Sequence, residues 1–470
     1  MLLKNASAFL DGKFCTADIT IQNGKIIDIK KYYPDKKQIS EHTNINQKFC
    51  SDKKMISDPI NTNLKFDPDG QQTFDYINVN QKFCPNEQLT LEPVNKHQKL
   101  NLSNKSFDNI NANVKSGSNE LSAIYSESDG QIFDCTGKMV WPGLFDIHTH
   151  GCLGYDFSES NPTQILEMCS FYAKHGITSI LATAMTNEDN QLAQAMEHIR
   201  QTIKIQTAKH PDGAKIQGVH LEGPFFGTEK KGAHDEKYLR PVSQKLIDQY
   251  QSLSGGAIRL LDLDPSLPGA MDFIQNNKER FTISIAHTGC SYETAKAAAK
   301  AGASHVTHLF NAMNPLLHRE PGVIGAAFEL GLNAEIISDG IHIHPAVIQL
   351  MFSAMPERII LISDSINPTG LSDGCYTAGG LPIEVKNGRA YLSDGTLAGS
   401  TITLFDAVKN AVRFHIPLEQ ALSAATILPA KAVGLADKIG SISCGQAADL
   451  LIVDTELNLE HVMIEGNWIS

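Results

Sequence analysis

Eight short apolar segments, alternating with helical stretches, predict an α/β protein built on a (β/α)8 TIM-like barrel. The segments are MVWPGLFDIHTH from Met139, ITSILATAMT from Ile177, KIQGVHLEG from Lys215 and AIRLLDLDP from Ala257, then FTISIAHT from Phe281, HVTHLFN from His305, AEIISDGIH from Ala334 and RIILISDS from Arg358. Helical stretches such as Tyr292–Gly302 and Pro345–Ala354 lie between them, which favours parallel pairing. A doubly wound open sheet is the competing arrangement. It is weakened because no glycine-rich GxGxxG turn follows the first strand.

The remaining elements follow in chain order. Residues 16–30 alternate apolar and polar positions around Asn23-Gly24, a hairpin signal. Residues 31–129 are rich in Asn, Lys, Gln, Ser and Asp, and contain the near-repeat NINQKFC (Asn44–Cys50) and NVNQKFC (Asn78–Cys84). A redox or metal role for the repeated cysteines is the sharper reading. A duplicated, low-complexity, disordered insertion is the expected one. Strand pattern resumes at GQIFDCTGKMVWPG and returns again in the last thirty or so residues. The expectation is a small β-sandwich domain from residues 1–30, 130–141 and 432–470, the insertion over 31–129, and the barrel over 142–431.

At 470 residues the chain exceeds one ordinary domain, and 42% hydrophobic residues suffice for a sizeable core. A formal net charge of −12 argues against nucleic acid or an anionic membrane surface as partner. An anionic small substrate would need a local basic pocket. Nine cysteines without regular spacing or a CxxC pair fit reduced thiols in a cytoplasmic protein. No apolar run approaches the length of a membrane span, and the start MLLKNASAFLDGKFC lacks the pattern of a signal peptide.

Active sites of such barrels sit at the C-terminal strand ends. Here those ends carry His148 and His150 on the first strand, Glu222 on the third, His287 on the fifth and His308 on the sixth. Asp339 and His342 end the seventh and Asp364 the eighth. His148 and His150 are two apart, so both imidazoles can face one ion from one side of a strand. Imidazole nitrogens and carboxylate oxygens suit a divalent ion such as Zn2+, or Fe2+ in some settings. Such an ion activates a water, and a carboxylate outside the ligand set can shuttle its proton. Asp364 is the candidate; taken alone it is as easily a helix or turn cap.

The blocks PGLFDIHTHG, GVHLEGPFF with KKGAH, AHT, VTHLFNAMNPLLHREPG, SDGIHIHP, ISDSINPTG and GTLAGS occur in this order. With them the chain resembles the N-acetylglucosamine-6-phosphate deacetylases of the amidohydrolase superfamily, over roughly residues 1–30 and 130–470. HxH alone marks only the superfamily, whereas HLEGPF with THLFNAM is specific to this family. The resemblance implies hydrolysis of the acetamide of N-acetyl-D-glucosamine 6-phosphate to D-glucosamine 6-phosphate and acetate, in amino-sugar catabolism or cell-wall recycling. It implies that Glu222, His287 and His308 hold the catalytic metal, with His148 and His150 supporting a second ion, so one or two ions per subunit. It further implies Asp364 as general acid/base and His342 as the residue that contacts substrate and polarises its acetyl carbonyl. Ala233, His234, Asn311, Ala312, Arg319, Leu397, Ala398 and Gly399 take the substrate-binding positions. The counterpart of Arg319 grips phosphate across a dimer interface, which implies a homodimer.

Two departures stand out: the long 31–129 segment, and Ser365 and Ile366 after Asp364, where smaller residues are usual. Several tempting residues read more plainly as structural. His220 and His305 fit core positions, His344 a helix start before Pro345, Cys152 and Cys290 buried packing, and Lys230 and Lys231 a solvated loop. Three other functions stay open: the N-acetylgalactosamine 6-phosphate epimer as substrate, another amidohydrolase, or a non-catalytic scaffold. Glu222, where many amidohydrolases have a bridging lysine, weighs against the second. The full set of ligand-type residues weighs against the scaffold.

Overall fold

In the computed structural model, the residues described are 1–32, 131–209 and 212–469, all within one compact unit. The expected low-complexity insertion lies outside the described residues, apart from its first two. Those two, Lys31 and Tyr32, end a strand that runs Lys25–Tyr32.

The eight predicted segments form one parallel sheet: β1 (Leu144–Thr149), β2 (Ile177–Met185), β3 (Lys215–Phe225), β4 (Ile258–Leu263), β5 (Thr282–Ile285), β6 (His305–Val306), β7 (Asn333–Ile337) and β8 (Ile359–Ile362). Each strand bonds its neighbour in that order. The ring closes where β8 runs into β1: Thr149 bridges Ser365 in parallel, Asp364 N–H donates to His148 O at 3.0 Å, and His150 N–H donates to Ser365 O at 2.8 Å. Strands covered on both faces must be apolar throughout, and all nine residues of β2 are buried. One cluster joins Phe145 and Ile147 of β1, Leu181 of β2, Leu260 of β4, Ile337 of β7, and Ile360 and Ile362 of β8. Strands on opposite sides of the ring share it, so it fills the interior.

A helix follows each strand: α1 (Pro162–Lys174), α2 (Asp189–Lys209), α3 (Gln244–Leu253), α4 (Ala270–Asn277), α5 (Tyr292–Ala301), α6 (Gly322–Leu330), α7 (Pro345–Ala354) and α8 (Leu404–Arg413). Their starts are coded locally. Asn161 and Gln164 form a capping box on α1, Thr403 and Asp406 another on α8, and Ser291 caps α5. Among the described residues, no helix is long and apolar enough to cross a membrane.

Both chain ends build the small β domain. Strands Leu2–Leu10, Lys13–Gln22 and Lys25–Tyr32 run antiparallel through the two-residue turns Asp11-Gly12 and Asn23-Gly24. All four turn residues have positive φ, as primed hairpin turns require. Met139–Pro142 joins this ladder to Leu450–Val453, Leu459–Ile464 and Asn467–Trp468. Backbone bonds from the first turn of the third strand to residues 445–448 draw the sheet around its own core, which includes Leu3, Ile19, Ile26 and Leu450.

One element is new relative to the sequence reading. Between β8 and α8, strands Gly374–Ala378, Leu381–Lys386 and Arg389–Leu392 form an antiparallel sheet. Its apolar side packs with Ile366 and Ala398 beside the mouth of the barrel.

Candidate metal and catalytic site

At the C-terminal mouth, Glu222 reaches in from β3, and His287, His308 and Asp364 from the second residue past the ends of β5, β6 and β8. Those last three have φ of +46°, +30° and +48°. A side chain pays for this left-handed backbone, and the strain recurs at these three strand ends. Glu222 Oε1 lies 3.1 Å from His287 Nε2 and 3.2 Å from His308 Nε2, and the two nitrogens are 3.0 Å apart. His148 Nε2 and His150 Nε2 are 3.2 Å apart, with Asp364 Oδ1 at 3.4 and 3.2 Å from them. His150 also comes within 3.4 Å of Glu222 Oε2, so the two groups adjoin.

Ring orientation is set from behind. A carbonyl only accepts, so His287 donates from Nδ1 to Lys230 O at 3.0 Å and presents its Nε2 lone pair to the site. His148 likewise donates from Nδ1 to Glu335 Oε2 at 2.8 Å. These buried lone pairs and carboxylate oxygens repel one another unless positive charge sits among them.

The titration behaviour points the same way. Burial opposes ionisation of Glu222, yet the imidazoles of His234, His150 and His287 hold it well below the usual carboxylate range. Asp364 is lowered too, against burial, by His148 and His150. Burial also opposes charging of His148, but Glu335 and Asp364 raise it well above the usual range; His150 and His308 are raised for similar reasons. His287 goes the other way: burial and neighbouring His234 push it down to about 4. The same donors, two sets of three ligand atoms each within 4.8 Å of one another, fit a divalent cation.

A cavity of about 220 Å³ opens over these groups. It is lined by His150, Glu222, His287, His308 and Asp364, and by Ala233, His234, Asn311, Ala312, His342, Leu397, Ala398 and Gly399. His342 is steered by Asp339, whose Oδ2 accepts from its Nδ1 at 2.7 Å and whose Oδ1 accepts from its backbone N–H. Gly399, at φ +68°, passes so close to Asp364 O and Ile366 that a Cβ would fall 2.9 and 2.7 Å from them. His148 lies behind the lining. Arg319 is the residue not brought in: it sits on the exposed stretch 315–320, its Nη1 2.7 Å from His318 Nε2. Among the described residues, no Lys or Arg lines the cavity.

The residues read as structural are placed accordingly. His220 pairs with Asp262 at 3.0 Å, His305 with Glu335, and exposed His344 caps α7. Cys152 and Cys290 are buried thiols pushed up by burial, Cys290 to about 11. Lys231 bonds His234 O. The two residues after Asp364 are taken up by their surroundings: Ser365 Oγ bonds Thr149, Tyr172 and Gly151, and Ile366 joins the apolar cluster of the three-stranded sheet. Sequence reasoning missed Glu335. Its one signal was a carboxylate inside an otherwise apolar strand.

Residues 139–469 match the model of the amidohydrolase family. A Bacillus subtilis (strain 168) N-acetylglucosamine-6-phosphate deacetylase is 37% identical over 334 residues, 70% of this chain and 84% of that one. An Escherichia coli O157:H7 N-acetylgalactosamine-6-phosphate deacetylase is 31% identical over 336 residues, 71% of this chain and 88% of that one. Among solved structures, an N-acetyl-D-glucosamine-6-phosphate deacetylase from Mycobacterium smegmatis, in complex with N-acetyl-D-glucosamine-6-phosphate, superposes with a TM-score of 0.74 at 24% identity, covering 100% of this chain and 99% of that one. The Pasteurella multocida N-acetylglucosamine-6-phosphate deacetylase gives 0.73 at 23%, covering 99% and 98%.

Proposed function

The chain belongs to the amidohydrolase family, and on that premise we propose that it hydrolyses the acetamide of N-acetyl-D-glucosamine 6-phosphate to D-glucosamine 6-phosphate and acetate. The observation that carries this reading is the convergence of Glu222, His287 and His308 beside Asp364 at one cavity, in a chain that matches a deacetylase over most of that relative's length.

A divalent cation held by Glu222, His287 and His308 supplies Lewis acidity when bound: it lowers the pKa of a water and polarises a carbonyl. Zn2+ suits the mixed nitrogen and oxygen donors best, with Fe2+ the alternative. Asp364 is kept ionised, so it takes the attacking water's proton and returns it to the departing amine nitrogen. His342 is held by Asp339 through its Nδ1–H, so it polarises the acetyl oxygen as a donor when Nε2 carries a proton as well. Ala233, His234, Asn311, Ala312 and Leu397–Gly399 hold the sugar.

Among the described residues no Lys or Arg lines the cavity to meet a phosphate, whereas Arg319 stands exposed beside the exposed apolar Leu316 and Leu317. This supports a homodimer in which Arg319 of one subunit forks onto the phosphate bound by the other. Seven described cysteines are free, which supports a reducing, cytoplasmic setting.

The galactosamine epimer is the second reading, favoured by the similarity to the Escherichia coli O157:H7 enzyme. Acetate release from both phosphorylated epimers, from the unphosphorylated sugar and from chelator-treated protein separates these readings. Release that favours the glucosamine compound and needs both phosphate and metal is expected. No release from metal-loaded protein sinks the proposal, and preference for the epimer replaces it.

A further inference from the structure

Glu335 sits in the middle of β7, fully buried, between the apolar Ala334 and Ile336. A lone carboxylate there would cost several kcal/mol, so its partners explain its presence. Oε2 accepts from His148 Nδ1 at 2.8 Å and from the backbone N–H of His308 at 3.2 Å, and Oε1 accepts from His305 Nε2 at 3.1 Å. A carboxylate only accepts, so His148 carries its proton on Nδ1. Its Nε2 lone pair is then committed toward His150 Nε2 and Asp364 Oδ1, at 3.2 and 3.4 Å. His150 Nδ1 has no partner among the described residues, so the pair is oriented from one side only, by Glu335. The first ligand group does not use this support for its rings: His287 is held by Lys230 O, and Glu335 touches His308 only through the backbone.

We infer that Glu335 is a positioning residue that reserves His148 for a second divalent cation, held by the His148–His150 pair next to the one held by Glu222, His287 and His308. The inference rests on the metal-dependent reading above, but not on the choice of substrate. Carboxylates behind a ligating imidazole typically account for 10–100-fold in metal affinity.

The test is Zn2+ titration into chelator-stripped protein by calorimetry, with bound metal counted by atomic emission. Wild type is expected to take two equivalents. Glu335→Gln keeps the shape and an acceptor but removes the charge, and should weaken the second equivalent about 10-fold; Glu335→Ala should weaken it about 100-fold. The first equivalent should hold within about threefold in both. Selective loss of the second equivalent sustains the inference. Equal weakening of both, no change in either variant, or a wild type that takes one equivalent overturns it. If Glu335→Ala fails to fold, Glu335→Gln decides alone. Acetate release by the same wild-type preparation reports separately on the proposed function, since the metal count needs no substrate.

Discussion

At the mouth of the barrel, four imidazoles and two carboxylates meet within hydrogen-bonding reach, and three of those residues sit on left-handed backbone. In the small β domain the core cluster is apolar, from Leu3 and Ala6 to Ile452 and Met463, with Asp18 and Asp449 largely buried beside it. Positive φ falls there in hairpin turns such as Asp11-Gly12 and Asn23-Gly24, where the turn type calls for it, and also at Asn5, in the irregular stretch between Leu3 and Ala6, and at Leu457. The same chain therefore concentrates buried charge where chemistry needs it, and relies mostly on apolar packing where only stability is at stake. The barrel tolerates its mouth because the staves beneath are buried and paired on both sides.

The sharpest separation of the two regions is in activity. Asp364→Asn keeps the size of the side chain and removes the base. We expect kcat to fall about 10³–10⁴-fold, which corresponds to about 4–5.5 kcal/mol of lost transition-state stabilisation. Steady-state acetate release measures it, with a thermal melt showing that the variant remains folded. A variant that keeps a tenth of wild-type activity would remove Asp364 from the proton path.

The opposite expectation holds for the small sheet. Ile19, fully buried in Lys13–Gln22, loses a methyl and two methylene-sized groups in Ile19→Ala, at a cost of about 2–5 kcal/mol. Chemical denaturation should register that loss, while kcat per folded molecule stays at the wild-type value. A fall in kcat would mean the two regions are mechanically coupled and the comparison too clean.

How much of this was legible before the structure depends on the range of the signal. Apolar runs and the polar residues that end them are local, so the eight strands and His148, His150, Glu222, His287, His308 and Asp364 stand out along the chain. Glu335 does not, because its partners His148 and His305 are 187 and 30 residues away and nothing in AEII points to either. The three-stranded sheet was present as turn dipeptides, Gly379-Gly380 and Asn387-Gly388, between short alternating segments. It was passed over because the barrel rhythm accounts for the segments on either side. The placement of Arg319 is a matter of loop geometry, which residue spacing does not encode.

Gly399→Ala tests whether the mouth depends on backbone as well as on charge. The added Cβ would fall 2.9 Å from Asp364 O and 2.7 Å from Ile366 Cγ2, at a φ of +68° that alanine resists. Shifting Asp364 by a fraction of an ångström should lower kcat about 10–100-fold, with a stability loss of about 1–3 kcal/mol. Unchanged kcat would show that the mouth yields more readily than its close contacts suggest.

Asp449 gives the smallest effect and the closest test, because it is an exception on the quiet side of the comparison. It precedes the strand Leu450–Val453, its side chain is 10% exposed, and it accepts from Glu465 N–H at 2.7 Å with Lys215 Nζ 3.8 Å away. Burial raises its pKa, and Lys215 only partly offsets this. A carboxyl raised in the folded state binds its proton more tightly there than in the unfolded chain. Ionisation therefore costs stability in full above the folded pKa, and the cost vanishes as pH falls to the unfolded value of about 3.9. Asp449→Asn keeps an acceptor and removes that cost, so it should stabilise the protein by at most about 1 kcal/mol at pH 7–8 and by nothing near pH 4. Urea denaturation at the two pH values checks the sign. A gain confined to neutral pH would mean that the small domain, unlike the mouth, holds its buried charge without any return. A loss at neutral pH would mean that the ion pair with Lys215 outweighs desolvation, and that the contrast between the regions is one of degree.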